Sequence, residues 1–193
     1  LLEKRESADQ NARVQGYENA NAADQARMDR VMAYIIGRAT NAGFAAYRDG
    51  ADLMALAVYI RSGGPNRDGA RTAIQRIFDR IRANQNGSGY WCYSNGGCND
   101  SSTTQLVMAG LAAARGVFND NDPFLHDNAR LAQLDQLTAR TKNGYGANGV
   151  NGGLGGDKGH GYRTGNVPSY QQTASGLWSQ IIGGGDVNDA NVQ

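Results

Sequence analysis

The residues with the clearest chemical potential lie in a glycine-rich run over 144–165 and just before an apolar segment near residue 100. His160 would act as a general base if a carboxylate such as Asp157 oriented its ring. No serine or cysteine nucleophile stands in a recognisable turn nearby, so the competing interpretation is a solvated loop histidine. Asp100 either caps the helix that follows it or serves as an acid, a role that requires a raised pKa.

Aromatic side chains in loops and at helix starts predict a second kind of chemistry, ligand binding. If the helices form a ring, several of these side chains converge on one end of its central cavity and hold an apolar or carbohydrate ligand. The alternative is that they plug the mouth of the barrel. With Asp100 and His160, the candidate ligand-binding residues at the cavity rim are Tyr90, Trp91, Tyr93, Tyr145, Tyr162, Tyr170 and Trp178. We assign no catalytic residue.

Two cysteines, Cys92 and Cys98, stand six residues apart in a turn-rich stretch. Asn95, Gly96 and Gly97 can make the chain reversal that brings the two side chains together, so we expect a disulfide, with two free thiols as the alternative. A bridge would indicate an exported protein, extracellular or periplasmic. Zinc needs four ligands and only His126 and His160 remain, so we expect neither a metal site nor a cofactor.

Of three further patterns, two favour structure over chemistry and the third leaves both open. The letters of a dinucleotide fingerprint occur over 144–149, but they follow a predicted helix and not a strand. The acidic clusters at 119–122 and 186–189 lack the glycine and glutamate of a calcium loop and predict turns and caps. The long run over 144–165 is either a lid or pocket rim, or an ordered loop over the barrel end.

Composition excludes two classes of partner. Nineteen Lys and Arg balance eighteen Asp and Glu, and the basic residues are scattered, so we expect no nucleic-acid binding. No apolar run approaches the roughly 20 residues that cross a bilayer. We expect one domain over 1–193. Its helix-like first residues and its helix-capping last residues predict a processed or trimmed part of a longer chain.

Apolar spacing predicts six helices. We place them at 22–39, 50–61, 67–84, 102–117, 123–141 and 169–182. The helix over 102–117 is apolar almost all round and is expected to be buried, whereas those over 67–84 and 123–141 are apolar on one side. This alternation is typical of an inner ring of helices surrounded by an outer one.

An internal repeat supports this arrangement. The segment 102–111 can be aligned with 168–177 at an offset of 66, so that Gln105 meets Gln171 and Gly110-Leu111 meets Gly176-Leu177. A less exact copy lies at 52–57. Repeated helix pairs that bury their apolar faces against their neighbours are the simplest account of the pattern.

These residues resemble the repeats of the prenyltransferase and squalene-cyclase proteins. The likeness rests on Gly89-Tyr90-Trp91, on 100–105 with 110–116, and on the second version of this pattern at 161–178, and it covers residues 50–193. The resemblance implies an all-α fold, an α/α toroid of helix pairs with long glycine-rich loops, present here as an incomplete copy.

The motifs of the family's enzymes are missing. The aspartate-rich motif of the cyclases is approached only by 120–123, which ends in Pro123, and the separated Asp, Cys and His zinc ligands of the protein prenyltransferases have no counterpart. We therefore predict a non-catalytic exported domain that serves as a binding or structural module. Its partner is unknown, possible candidates being itself or the rest of its parent chain, and it would have the capacity to self-assemble. The alternative is a cyclase-like or hydrolytic enzyme acting on an apolar or carbohydrate ligand in the barrel cavity.

Overall fold

The computed structural model describes residues 15–94, 97–151, 158–186, 188, 189 and 192. These residues contain six helices, which confirms the all-α class for the part of the chain described: α1 Ala22–Ala39, α2 Ala46–Arg61, α3 Arg67–Ala83, α4 Ser101–Phe118, α5 Asn128–Asn148 and α6 Tyr170–Ile182. Two short strands, β1 Val150–Asn151 and β2 Lys158–Gly159, pair antiparallel between α5 and α6.

The helices pack as two rows. α4 lies between α2 and α6 and contacts both, and these three helices form the first row. In the second row, α3 packs against α1, α2 and α4, while α5 packs against α4 and α6. Closure of the row into a toroid stays a prediction.

Side-chain caps define most helix starts. Asn21, Asn66, Asp100, Asp127 and Ser169 each accept a hydrogen bond from a backbone amide in the first turn of the following helix. Such caps satisfy amides that have no partner within the helix. The predicted bounds of α1, α3, α4 and α6 agree with the structure to within one residue.

Helix α2 begins four residues earlier than predicted. Gly50 does not start the helix but lies inside it, where a Cβ atom would sit 2.3 Å from the Leu106 carbonyl oxygen. On α4, Gly110 faces the carbonyl of Gly50 in the same way. The two backbones approach so closely that only glycine fits, and this packing outweighs the low helix propensity of glycine.

Helix α5 begins and ends later than predicted. Pro123 lies in a turn, in which Asp122 accepts a hydrogen bond from the Phe124 amide, and the helix starts only after the Asp127 cap. At the other end the helix continues to Asn148, because Gly144 packs against the Ser88 carbonyl and Tyr145 is buried. The fingerprint-like run 144–149 is therefore largely the last turn of a helix.

The hydrophobic core lies among α1 to α5. Its fully buried side chains include Leu53 and Leu56 of α2, Ile74 and Phe78 of α3, and Leu111 of α4. Helix α6 buries Ser175, Gly176, Ser179 and Gln180, while its Leu177, Trp178 and Ile181 are exposed. Its buried positions are thus polar or small, and of its large apolar side chains only Ile182 packs against the core.

Within the described ranges no helix combines the length and the hydropathy that a membrane crossing requires.

Candidate functional site

Three tyrosine hydroxyls and one serine hydroxyl form a chain of contacts at the start of α4. The Tyr47 hydroxyl donates to Ser102 Oγ over 2.7 Å, and Ser102 Oγ lies 3.2 Å from the Tyr162 hydroxyl. The Tyr162 hydroxyl also contacts that of Tyr93, whose ring packs at 5.5 Å from the ring of Tyr47. We call Tyr47, Tyr93, Tyr162 and Ser102 the tyrosine rim. All three rings are exposed to solvent along part of their surface.

The disulfide holds Tyr93, the residue after Cys92, in place. Cys92 and Cys98 are bridged, with 5.2 Å between their Cα atoms, which confirms the predicted pairing. The Tyr93 carbonyl accepts a hydrogen bond from the first amide of α2 at 3.0 Å, and the Cys98 carbonyl accepts one from the Asn86 side chain at 3.1 Å. The disulfide thus fixes the Tyr93 side chain between α2 and α4.

The segment after β2 brings in Tyr162. Its carbonyl accepts a hydrogen bond from the Ser101 amide at 3.0 Å, and the neighbouring Gly161 carbonyl accepts one from the Ser101 hydroxyl at 2.9 Å. The pKa of Tyr162 is raised: its hydrogen bond with Ser102 lowers it, but the bond with Tyr93 and partial burial outweigh that effect. The hydroxyl is therefore a proton donor at neutral pH.

Asp100 lies directly beneath the rim and is fully buried. One carboxylate oxygen, Oδ1, caps α4 by accepting from the Thr103 amide at 3.0 Å and also accepts from the Ser102 hydroxyl at 2.6 Å. The other oxygen, Oδ2, is buried without a hydrogen-bond partner among the described residues. The cap role predicted for Asp100 is confirmed, and the carboxylate also orients a rim hydroxyl.

Three of the predicted rim residues belong to the interior. Trp91 is fully buried, and its indole donates to the Ile81 carbonyl at 2.8 Å. Tyr90 and Tyr145 are buried against each other with ring centroids 4.8 Å apart. Burial raises the pKa of Tyr145 to about 12. The expectation that these rings line a rim is corrected, because the loop at 89–93 turns its first two aromatic residues inward and only Tyr93 outward.

His160 also points inward. It is buried, with its ring 5.0 Å from that of Tyr145 and its Nε2 3.3 Å from the Gln180 amide nitrogen. A Cβ at Gly176 would lie 2.3 Å from the imidazole, so glycine provides the space for this ring. Burial, and then the charge of Lys158, lower the His160 pKa. The loop histidine is thus neither solvated nor open to substrate, and its suggested partner Asp157 lies outside the described residues.

Trp178 lines a separate cleft between α4 and α6. The cleft has a volume of about 450 Å³ and is lined by Gln105, Gln171, Gln172, Ala174, Ser175 and Trp178. None of these residues carries a charge. Tyr170, the remaining predicted site residue, is almost fully exposed at the start of α6 and belongs neither to the rim nor to this lining.

The acidic clusters serve as turns. Asp120 and Asp122 accept hydrogen bonds from backbone amides two residues ahead and form ion pairs with Arg61 and Arg67. Asp186 accepts in the same way from the Asn188 amide. Among the residues that the structure describes, no group of three or more His, Cys, Asp or Glu side chains is arranged to hold a metal ion.

Sequence reasoning did not select the residues that connect these features. The sequence pattern places Tyr47 before the predicted start of its helix, and Ser102, Gln105 and Gln171 enter it only as parts of the repeat. A usable signal does exist: Ser102 and Gln105 stand three residues apart, so they share one face of a helix whose following residues, 106–114, are apolar or glycine. Comparison of the chain with protein-family models, with curated proteins and with solved structures found no match.

Proposed function

We propose that this chain is a non-catalytic, exported module of the α/α-toroid type that binds a neutral carbohydrate at its tyrosine rim. The observation that carries the proposal is a chain of hydroxyl contacts above a buried carboxylate, in which Tyr47 and Tyr162 contact Ser102 and Tyr93 contacts Tyr162. The disulfide supports the exported location, because such bridges persist in oxidising compartments.

The rim has the two properties that sugar binding requires. Tyrosine combines a flat apolar ring with a hydroxyl that both donates and accepts, and it presents this area at a low cost in conformational entropy. Sugars likewise combine apolar C–H faces with hydroxyl groups. A fixed cluster of three partly exposed tyrosines therefore suits a ligand of this kind better than a purely apolar one.

Electrostatics favours a neutral ligand over an acidic one. The Asp100 carboxylate lies one hydrogen bond away from the rim serine and is buried, where screening by solvent is weak. An anionic group docked on Ser102 would be repelled by this charge. A strongly basic ligand would have to lose its hydration to approach the carboxylate, because Asp100 is fully buried.

Calorimetric titration with neutral oligosaccharides tests the proposal. The panel contains oligomers of glucose, mannose, xylose and N-acetylglucosamine, with an isoprenoid alcohol as the apolar comparison. We expect at least one sugar to bind, and Tyr162→Ala to weaken that binding about ten-fold or more. Tyr162→Phe keeps the ring and loses only the hydroxyl, so its effect should be smaller.

The matched control is Tyr34→Ala, which removes another exposed tyrosine from α1, a helix of the second row. We expect this variant to bind as the wild type does. Binding of the isoprenoid alone, or equal losses for Tyr34→Ala and Tyr162→Ala, would contradict a sugar site at the rim.

The same samples distinguish two other hypotheses. Mass spectrometry after long incubation detects cleavage or cyclisation of a ligand. Either reaction would show that the protein is an enzyme and not a binding module. Light scattering at rising concentration measures the molar mass, and a growing mass would favour self-assembly, for which the exposed apolar side chains of α6 are the structural reason.

A further inference from the structure

The α4–α6 cleft and the tyrosine rim are neighbours on one helix. Ser102 belongs to the rim and Gln105 lines the cleft. The two residues are three positions apart on α4, so their side chains lie on the same face, about 4.5 Å apart along the axis. A ligand that leaves the rim along α4 therefore enters the cleft directly.

The lining of the cleft is also suited to a neutral polar ligand. Three glutamine amides supply both donors and acceptors, and Trp178 supplies an aromatic face that is 41% exposed. Gln172 also lines the cleft, and its Oε1 is buried with no donor among the described residues, so a ligand hydroxyl would satisfy this acceptor once the side chain turned toward the cleft. Ser175 donates to Gln105 Oε1, which fixes that amide and leaves its NH₂ group for other partners.

We propose that the cleft is a second subsite of the rim, so that the chain binds a linear neutral oligosaccharide and not a single sugar. Sugar units at the rim contact the tyrosines, and later units of the same chain stack on Trp178 and bond to the glutamine amides. This inference rests on the proposed function, because it extends the same ligand beyond the rim.

In this second subsite, the outward-facing Trp178 of α6 is the surface on which a sugar unit stacks. The other lining side chains of α6, Gln171, Gln172, Ala174 and Ser175, lie within the same two turns, so one helix builds one wall of the cleft. α4 contributes Gln105 to the opposite wall. Because neither wall has a charged group, the cleft selects for hydroxyl-rich neutral chains and against charged ones.

Intrinsic fluorescence makes the subsite directly observable. The chain has two tryptophans, of which Trp91 is fully buried and Trp178 is exposed to solvent. A soluble quencher such as acrylamide therefore reports mainly on Trp178. An oligosaccharide that reaches the cleft should protect this residue, whereas a monosaccharide at the rim should not.

The experiment is a length series, from one to six units, of whichever neutral sugar binds best. We expect affinity and quencher protection to rise once the chain is long enough to reach the cleft. Trp178→Ala should remove that gain, which corresponds to about a 3- to 10-fold loss for long chains, and should leave the shortest ligand unaffected. Leu177→Ala, the neighbouring exposed position outside the cleft lining, is the matched control and should behave as wild type.

The outcomes separate this inference from the proposed function. If Tyr162→Ala abolishes binding but Trp178→Ala has no effect on ligands of any length, the proposal of a second subsite is wrong and the proposal of a sugar site at the rim is kept. Equal losses for short and long ligands in Trp178→Ala would also overturn it. If no sugar of any length binds, the proposed function and the subsite both fall.

Discussion

Helix α4 has two neighbours in its row, and it contacts them in opposite ways. Against α2, its backbone approaches so closely that Gly50 and Gly110 lie face to face. Against α6, the described side-chain contact is polar, a hydrogen bond from the Ser175 hydroxyl to Gln105, and the buried residues of α6 are small or polar. The core cluster draws buried side chains from each of α1 to α5, whereas α6 adds only the partly buried Ile182 among its described residues.

This contrast separates the helices that provide most of the stability from α6, which carries one wall of the proposed cleft. Burial of apolar side chains supplies most of the favourable free energy of folding, so α1 to α5 carry most of the stability. Helix α6 contributes little apolar burial and leaves its aromatic and aliphatic side chains facing solvent. Substitutions on the exposed surface of α6 can therefore improve ligand binding without destabilising the fold.

The largest expected effect comes from two leucines that occupy equivalent positions in the internal repeat. Leu111 of α4 is fully buried, whereas Leu177 of α6 is 36% exposed. We expect Leu111→Ala to lower the free energy of unfolding by about 2–5 kcal/mol, because it removes buried methyl groups and leaves a cavity. Leu177→Ala should change it by less than about 0.5 kcal/mol.

Urea unfolding followed by circular dichroism measures both variants. Similar losses at the two positions would show that α6 is buried in solution, and the contrast between the two interfaces of α4 would then be wrong. A large loss of unfolding free energy for Leu111→Ala alone would support the contrast between the two interfaces.

The glycine contact between α2 and α4 gives the next largest effect. A Cβ at Gly50 would meet the Leu106 carbonyl oxygen at 2.3 Å, and backbone atoms cannot move aside cheaply. We expect Gly50→Ala to destabilise the fold by about 1–3 kcal/mol through overpacking.

Gly37→Ala is the matched control, since it lies inside α1 with no atom within 4 Å of the added methyl group. It should stabilise the fold by about 0.5–1 kcal/mol, because alanine favours the helix over the unfolded chain. Thermal unfolding of the two variants should therefore shift in opposite directions. Destabilisation by both substitutions would remove the special role of the α2–α4 contact.

The sequence was sufficient for the elements whose signals are local. The caps Asn21, Asn66, Asp100 and Ser169 mark helix starts through their own hydrogen bonds, and these starts were predicted to within one residue. The disulfide was predictable for the same reason, since the two cysteines and the turn between them lie in one short segment. Local chemistry of this kind is read directly from residue types.

The candidate site could not be predicted to the same extent because its residues meet through tertiary contacts. Tyr47 reaches Ser102 across 55 positions, and Tyr93 reaches Tyr162 across 69. Nothing in the sequence distinguishes the inward-facing Trp91 from the outward-facing Tyr93, which are separated by one residue. The extension of α5 through Gly144 was missed for a similar reason, since packing against Ser88 overrides the local propensity of glycine.

The smallest expected effect lies at the polar interface of α6 and depends on pH. Burial lowers the His160 pKa below that of the unfolded chain, which is about 6.5. The unfolded state therefore binds more protons between these two pKa values, and stability rises with pH across that interval. We expect the free energy of unfolding to be highest above pH 6.5 and to fall as the pH drops from there toward the folded pKa.

His160→Phe removes the titrating group and keeps a ring against Tyr145 and Gly176, so its stability should change less between pH 7 and 5. Among the described residues, the charge of Lys158 acts on this histidine and Tyr145 packs against it; burial raises the pKa of Tyr145 to about 12, so this phenol stays neutral over that interval. The carboxylates of Asp122, Asp127 and Asp189 have lowered pKa values, so they lose their contribution only at more acid pH. Subtracting the variant's free energy of unfolding from that of the wild type at each pH isolates the contribution of His160. If the two stability curves run parallel, the ring is open to water and α6 packs less tightly than its small polar interface indicates.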